Sequence, residues 1–242
     1  MKKIYLILLL SLLMLLPSCI NIPTVEFESK VKRTEEFEYA IEQGIVSIGN
    51  ILTEKKAVFI PYFVENKKVT KLGFDVFMIL HDMGTTAKVE RVYFPNSIEE
   101  FCTSYVIKRN KKVFYCGNPT DLYHLCYGVE GYPIYVPYET YDEFNKLFIY
   151  GNEDNNLIKA NVTYYLNYPD KIYEYNEYYY IDYYDNGSLI EFIPPNPEKE
   201  GYTFEGWFKE PECINQWDFT KNLTYNVEES PVTNLYAKWV WF

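Results

Sequence analysis

Histidine is nearly missing: His81 and His124 are the two that the 242 residues contain, so a histidine-based relay or metal centre has few places to form. The chain also lacks a Cys-x-x-Cys pair, a glycine-rich phosphate loop and a Gly-x-Ser-x-Gly elbow. Those absences remove the short signatures of zinc ribbons, nucleotide binding and serine hydrolysis. Basic residues are in deficit, 23 against 34 acidic ones, for a formal charge of −11. Nucleic-acid binding calls for a cationic footprint, which this composition does not supply.

Long apolar runs are equally scarce. The one that exists, Ile4 to Leu16, is thirteen residues long and broken by Ser11. It falls short of the roughly 20 residues that a spanning helix needs. With Lys2 and Lys3 before it and Pro17-Ser18-Cys19 after it, the segment has the three-part anatomy of a signal peptide, residues 1–18. Leu16-Pro17-Ser18-Cys19 resembles the bacterial lipobox, which implies acylation of Cys19 and cleavage in front of it. Pro17 departs from the usual small or β-branched residue, while Ser18 fits the small residue that the peptidase requires. Removal of Lys2 and Lys3 leaves 21 basic residues and a charge of −13. Anionic lipid would repel such a body, so the membrane is expected to hold it by the lipid anchor only. The expected location is the outer face of a bacterial cell membrane or the cell surface.

Residues 19–36 are polar and aperiodic, as a tether would be. Beyond it Cys102, Cys116, Cys126 and Cys213 remain, with spacings that specify no disulfide framework. What is abundant is tyrosine, 26 residues, and broad rings favour the pleated surface of strands. The fold class expected is mainly β.

Folding is expected to begin near Phe37. An apolar triplet then recurs: Val92-Tyr93-Phe94, Val113-Phe114-Tyr115 and Ile134-Tyr135-Val136 start 21 residues apart, and Val58-Phe59-Ile60 stands 34 before the first of these. Proline follows three of the four copies, and it ends a strand because it cannot donate to the ladder. A fixed period in this range predicts a solenoid whose stacked copies share one core, with an insertion near His81 to Thr86. Lys68-Val69-Thr70-Lys71-Leu72-Gly73, Phe77 and Val92-Tyr93-Phe94-Pro95-Asn96-Ser97-Ile98 resemble the BspA-like leucine-rich repeats of bacterial surface proteins. The resemblance covers residues 37–150 and implies a short leucine-rich-repeat-like solenoid; the later copies lack the internal Ile-Gly turn.

Residues 151–160, opening on Gly151-Asn152-Glu153-Asp154, read as a linker. The remainder, 161–242, carries Gly201-Tyr202-Thr203-Phe204-Glu205-Gly206-Trp207-Phe208, then Trp217-Asp218-Phe219, then Leu235-Tyr236-Ala237-Lys238-Trp239. These motifs resemble the internalin-type B-repeat, also called the Listeria-Bacteroides repeat, which implies a small β-grasp-like domain. Asn167 to Tyr183 looks inserted relative to that pattern. Asp185-Asn186-Gly187 predicts a hairpin turn.

Candidate chemistry is thin. Cys116, His124 and Cys126 lack zinc-ligand spacing, and no third group orients a His124–Cys126 pair. Asp182 to Gly187 superficially matches a calcium loop, but Tyr184 and Ile193 stand where oxygen ligands belong. Glu35, Glu36 and Glu38, or Glu198 and Glu200, are too close in sequence to read as anything but surface charge without a cleft. No catalytic residue, cofactor or metal is expected. The tyrosine run Tyr173, Tyr175, Tyr178, Tyr180 and Tyr183 is the candidate ligand patch, since tyrosine joins a flat apolar face to a polar tip. Alternate tyrosines of a strand filling a core would explain the run equally well. The function expected is that of a lipid-anchored surface binding or adhesion protein without catalytic activity, displaying a repeat surface to an unknown surface protein or glycan. The alternative is a nutrient-uptake lipoprotein that captures oligosaccharides.

Overall fold

Short strands carry most of the structure, a computed structural model that describes residues 31–72, 88–101, 111–120, 133–148, 156–169, 178–225 and 231–242. Lys32–Phe242 form a single unit built on three sheets.

The N-terminal sheet runs in the order β1 (Lys32–Arg33), β2 (Phe37–Glu42), β3 (Ile45–Ile51), β6 (Lys67–Leu72), β5 (Phe63–Val64), and β8 (Glu100–Phe101) joins β6. Its two tight hairpins turn at Gln43-Gly44 and Glu65-Asn66, where both central residues have positive φ, as two-residue turns between twisted strands require. The expected tether is shorter than 19–36. Lys32 and Arg33 pair with Tyr39 and Glu38 as β1, and ion pairs Lys32–Glu65 (2.7 Å) and Arg33–Glu38 (2.5 Å) hold them there.

The second sheet is parallel throughout, in the order β11 (Asn156–Lys159), β10 (Pro133–Val136), β9 (Lys112–Tyr115), β7 (Arg91–Phe94), β4 (Ala57–Phe59). Val113 aligns with Val92 and with Ile134, so the 21-residue interval is the distance along the chain from one rung to the next. Val58 aligns with Val92, which places the longer interval between adjacent rungs as well. Asn156–Lys159, expected in the linker, are instead the fifth rung. Leu157 packs on one side of the sheet and Ile158 on the other, and this alternation makes the segment a strand.

Period-two alternation gives the parallel sheet two apolar faces, as parallel sheets generally have. Val58, Val92, Val113 and Ile134 share a core with Val46, Ile48 and Val69 of the N-terminal sheet. The helix α1 (Tyr141–Phe148) closes that core with Phe144, which meets Tyr115 edge-on at 6.2 Å. On the opposite face the central aromatic of each triplet forms a ladder. Phe59, Tyr93, Phe114 and Tyr135 stack at centroid spacings of 4.2, 4.5 and 4.6 Å with rings within 16° of parallel. In-register parallel strands lie about 4.8 Å apart, so identical side chains stack face on face.

The third sheet, in the order β13 (Tyr178–Asp182), β12 (Val162–Tyr165), β15 (Thr233–Trp241), β14 (Tyr202–Phe208), is mixed: β12 and β15 run parallel and the other pairs antiparallel. The β14–β15 register shifts between Phe204 and Gly206, a bulge whose glycine adopts φ of 129°. Asp185 to Gly187 does turn, with Ser188 donating to the Asp185 carbonyl, but no hairpin follows. Pro194, Pro195 and Pro197 deny the next segment the donors that a returning strand would need.

Candidate binding site

Of the tyrosine run, the described members Tyr178, Tyr180 and Tyr183 form no exposed patch. Strand β13 lies across β7, β9 and β10 of the parallel sheet. Tyr180 is 1% exposed; its ring meets Phe59 edge-on at 5.2 Å, and its hydroxyl donates to the Ile60 carbonyl at 2.5 Å. Burial therefore removes Tyr180 from any ligand surface. Tyr183 is half-buried with its ring 5.3 Å from Tyr135, at the far end of the ladder. Tyr178 is half-buried too, and its hydroxyl donates to Glu139 at 2.9 Å, where Tyr165 also donates at 3.2 Å. Tyr173, Tyr175 and Cys19 lie outside the described residues, as do His81, His124, Cys102 and Cys126. The aromatic ladder and the third sheet thus cover one another, and neither face of the parallel sheet is displayed.

A buried ion pair pins this junction. Arg91, on β7, donates to Asp182 Oδ1 at 2.5 Å and to the Tyr93 hydroxyl at 3.1 Å; Tyr93 donates in turn to Asp182 Oδ2 at 2.9 Å. The Tyr183 amide gives Asp182 Oδ1 a further hydrogen bond at 2.7 Å. The guanidinium also lies 5.0 to 5.3 Å from the ring centroids of Phe114, Tyr184 and Phe192. Burial pushes the Asp182 carboxyl up to about 6 against the pull of Arg91 and these donors. Asp182 was legible only as the acidic residue inside a tyrosine run, and Arg91 as the residue before a triplet. Nothing in the one-dimensional pattern joins them.

Cys116 takes the place of a post-strand proline, and its thiol is buried against the Phe94 carbonyl (Sγ to O 3.3 Å). Burial drives that thiol well above the ordinary range, which leaves it unreactive. Cys213 is half-buried, with Asn167 Nδ2 donating to its sulfur at 3.5 Å. Glu36 pairs with Lys55, and Glu38 with Arg33. Among the described residues no three His, Cys, Asp or Glu side chains converge as metal ligands would.

A concave surface exists elsewhere. A cleft of about 820 Å³ lies between the β5–β6 hairpin, which contributes Phe63, Asn66 and Lys68, and the third sheet, which contributes Tyr168 and the segment from Pro197 to Phe204. The volume falls within the roughly 300–1,000 Å³ usual for ligand clefts. Phe204 packs edge-on against Trp207 (5.2 Å) and Trp239 (5.9 Å), and Tyr168 leans on Trp239 at 5.5 Å, so the walls are braced from behind. Tyr202 meets the exposed ring of Trp241 edge-on at 5.0 Å. The Lys199 ammonium lies over two rings, 4.3 Å from the Tyr168 centroid and 5.1 Å from that of Tyr202. Glu198 and Glu200, expected as surface charge, are exposed on the rim. Sequence alone did not single out Phe63, Tyr168 or Lys199. Chain segments more than a hundred residues apart meet here, and no local pattern encodes that.

Fold and site together define a mainly β protein with a braced aromatic cleft. Residues 161–238 match the Listeria-Bacteroides repeat domain family. A protein of Evansella cellulosilytica named "Putative membrane protein" is 43% identical over 53 residues, a stretch that covers 22% of this chain and 7% of that relative. No helix among the described residues is long and apolar enough to cross a membrane.

Proposed function

We propose that this chain is a cell-surface binding protein without catalytic activity, exported by its first 18 residues and anchored through an acylated Cys19. The Listeria-Bacteroides repeat supports the surface association. The 21-residue register of the parallel ladder supports reading residues 37–150 as leucine-rich-repeat-like, and the mixed third sheet is compatible with a β-grasp-like module. Fold likeness carries no function by itself, so the reading rests on the site. The observation that carries it is the cleft: both faces of the ladder are buried, while the cleft offers braced aromatic walls and a polar rim to solvent.

The display half of the reading is tested in cells. The full chain should incorporate a labelled fatty acid and be digested by protease added to intact cells. Cys19→Ala should take up no label and should be released or left uncleaved. Undiminished labelling of Cys19→Ala would refute the anchor, and protection of the wild type from protease would refute surface display.

A further inference from the structure

We infer that Val240, Trp241 and Phe242 form a second membrane contact, an aromatic tip that enters the interfacial layer of a neutral lipid bilayer beside the acyl anchor. The inference rests on the lipid-anchored reading above and adds to it a protein surface that touches the lipid.

Exposure sets the tip apart. Along β15 Leu235 and Ala237 are fully buried, but Val240 is 39%, Trp241 70% and Phe242 78% exposed. Apolar side chains exposed singly need no explanation, whereas three in succession mark a contact surface. Their arrangement narrows the partner. Successive residues of a strand point to opposite sides of the sheet, so Val240 and Phe242 lie on one side and Trp241 on the other. A protein partner docks on one face, while apolar groups wrapped around the end of a sheet suit a medium that surrounds them. Tryptophan, with an apolar ring and one N–H, settles at the headgroup level of a bilayer.

The tip is also held in place. The Phe242 amide donates to the Gly201 carbonyl at 3.4 Å, which keeps the ladder closed to its end. Tyr202 meets the Trp241 ring edge-on at 5.0 Å, and the same ring lies against Gly201, where an added Cβ would come within 3.1 Å of it. A ring fixed in this way has little freedom left to lose on insertion.

The point at which the chain enters the folded body selects the membrane as occupant. Lys32, the first residue of β1, pairs at 2.7 Å with Glu65 in the turn of the β5–β6 hairpin. The next residue, Asn66, lines the same cleft as Tyr202, the ring beside Trp241. Lys32 and the tip therefore share one flank. Cys19 stands thirteen residues before Lys32. At about 3.6 Å per residue an acylated Cys19 keeps the bilayer within about 47 Å of that flank. Glu198 and Glu200 are exposed beside Tyr202, so no cationic collar surrounds the tip and its contact is with neutral lipid, through apolar burial.

Quenching by brominated lipid tests this. The full chain as cells process it, labelled with fatty acid, is reconstituted into phosphatidylcholine vesicles with and without bromine in the upper part of the acyl chains. Tryptophan emission is expected to fall by about a quarter, the share of Trp241 among four tryptophans, because Trp207, Trp217 and Trp239 are buried or half-buried. The fall should change less than about twofold between 0.05 and 0.5 M NaCl, since no ion pair is formed. Trp241→Phe should reduce the quenching at least about threefold, and so should Val240→Glu combined with Phe242→Glu, which leaves Trp241 in place as the reporter. Urea midpoints establish that the variants are folded. Absence of quenching in the wild type, or quenching that survives in either variant, would overturn the inference. Shielding of Trp241 from aqueous acrylamide that grows with the protein-to-lipid ratio would assign the tip to a second copy of the chain and overturn it equally. A chain that takes no fatty-acid label loses the anchor and the tip with it; a labelled chain whose Trp241 stays unquenched keeps the anchor and loses the tip alone.

Discussion

Asp182→Ala should be among the most damaging single substitutions in the molecule. The carboxylate is 1% exposed and the side chain of its partner Arg91 is 12% exposed, so neither charge has water to fall back on. Deleting one member of such a pair costs about 3–5 kcal/mol, because the other is left buried and uncompensated. Two further donors, the Tyr93 hydroxyl and the Tyr183 amide, lose their acceptor at the same stroke. Arg91→Met should cost a similar amount by orphaning the carboxylate. The double variant orphans neither charge and should lose about 3–5 kcal/mol in total, well short of the sum of the singles. It does not return to wild type, because the guanidinium's contacts with Phe114, Tyr184 and Phe192 are gone. Urea unfolding followed by tryptophan fluorescence at neutral pH measures all four corners of the cycle. A single-variant loss below about 1 kcal/mol, or simple additivity in the double variant, would refute the claim that the pair is buried and coupled.

The same residue sets a pH dependence. Its folded value of about 6 lies above the ordinary 3.8, so between about pH 4 and 6 the folded state binds more proton than the unfolded one. The stabilisation linked to that proton is complete below pH 4 and is lost as pH rises through 6; Asp182→Asn should abolish this slope, and a wild-type minus variant difference that is flat across the window would contradict it. Two tyrosines form an opposed pair of tests: Tyr180→Phe should cost about 1–2 kcal/mol by leaving the Ile60 carbonyl unpaired, whereas Tyr164→Phe should be neutral or stabilising, since the buried Tyr164 hydroxyl has no partner among the described residues. Equal urea midpoints for those two variants would argue against the junction as described. Gly206→Ala should cost about 1–3 kcal/mol, from a φ of 129° that alanine does not favour and an added Cβ that would meet Gln216 Nε2 at 2.8 Å; a thermal melt matching wild type would show that the bulge relaxes freely.

How much of this was legible in the sequence depended on whether the signal was periodic. The triplets at Val92, Val113 and Ile134 carried their own register, and the structure pairs them residue for residue in parallel. The glycine motifs around Tyr202 likewise marked a strand, although Gly206 lies inside β14 at a bulge that the motif did not announce. Asn156–Lys159 reads as linker in the sequence because the polar run before it masks a short alternation, Leu157 one way and Ile158 the other. The tyrosine run shows a deeper limit. A tyrosine-rich composition favours strands without placing one at Tyr178 to Asp182, and a ring that binds a ligand and a ring that packs on Phe59 have the same one-dimensional signature. The partner that decides between them is more than a hundred residues away along the chain. Arg91 and Asp182, Phe63 and Tyr202, were out of reach for the same reason.

The shared ownership of the cleft has a further consequence. One wall belongs to the β5–β6 hairpin and the other to the C-terminal sheet, so the cleft persists only while the junction at Arg91 and Asp182 stays shut. A C-terminal fragment expressed alone would carry half a binding surface, however well it folded. Tension applied across the two sheets would therefore take the cleft apart before either sheet unfolded. The packing of β13 on the aromatic ladder, together with the Arg91–Asp182 pair, is what resists that parting.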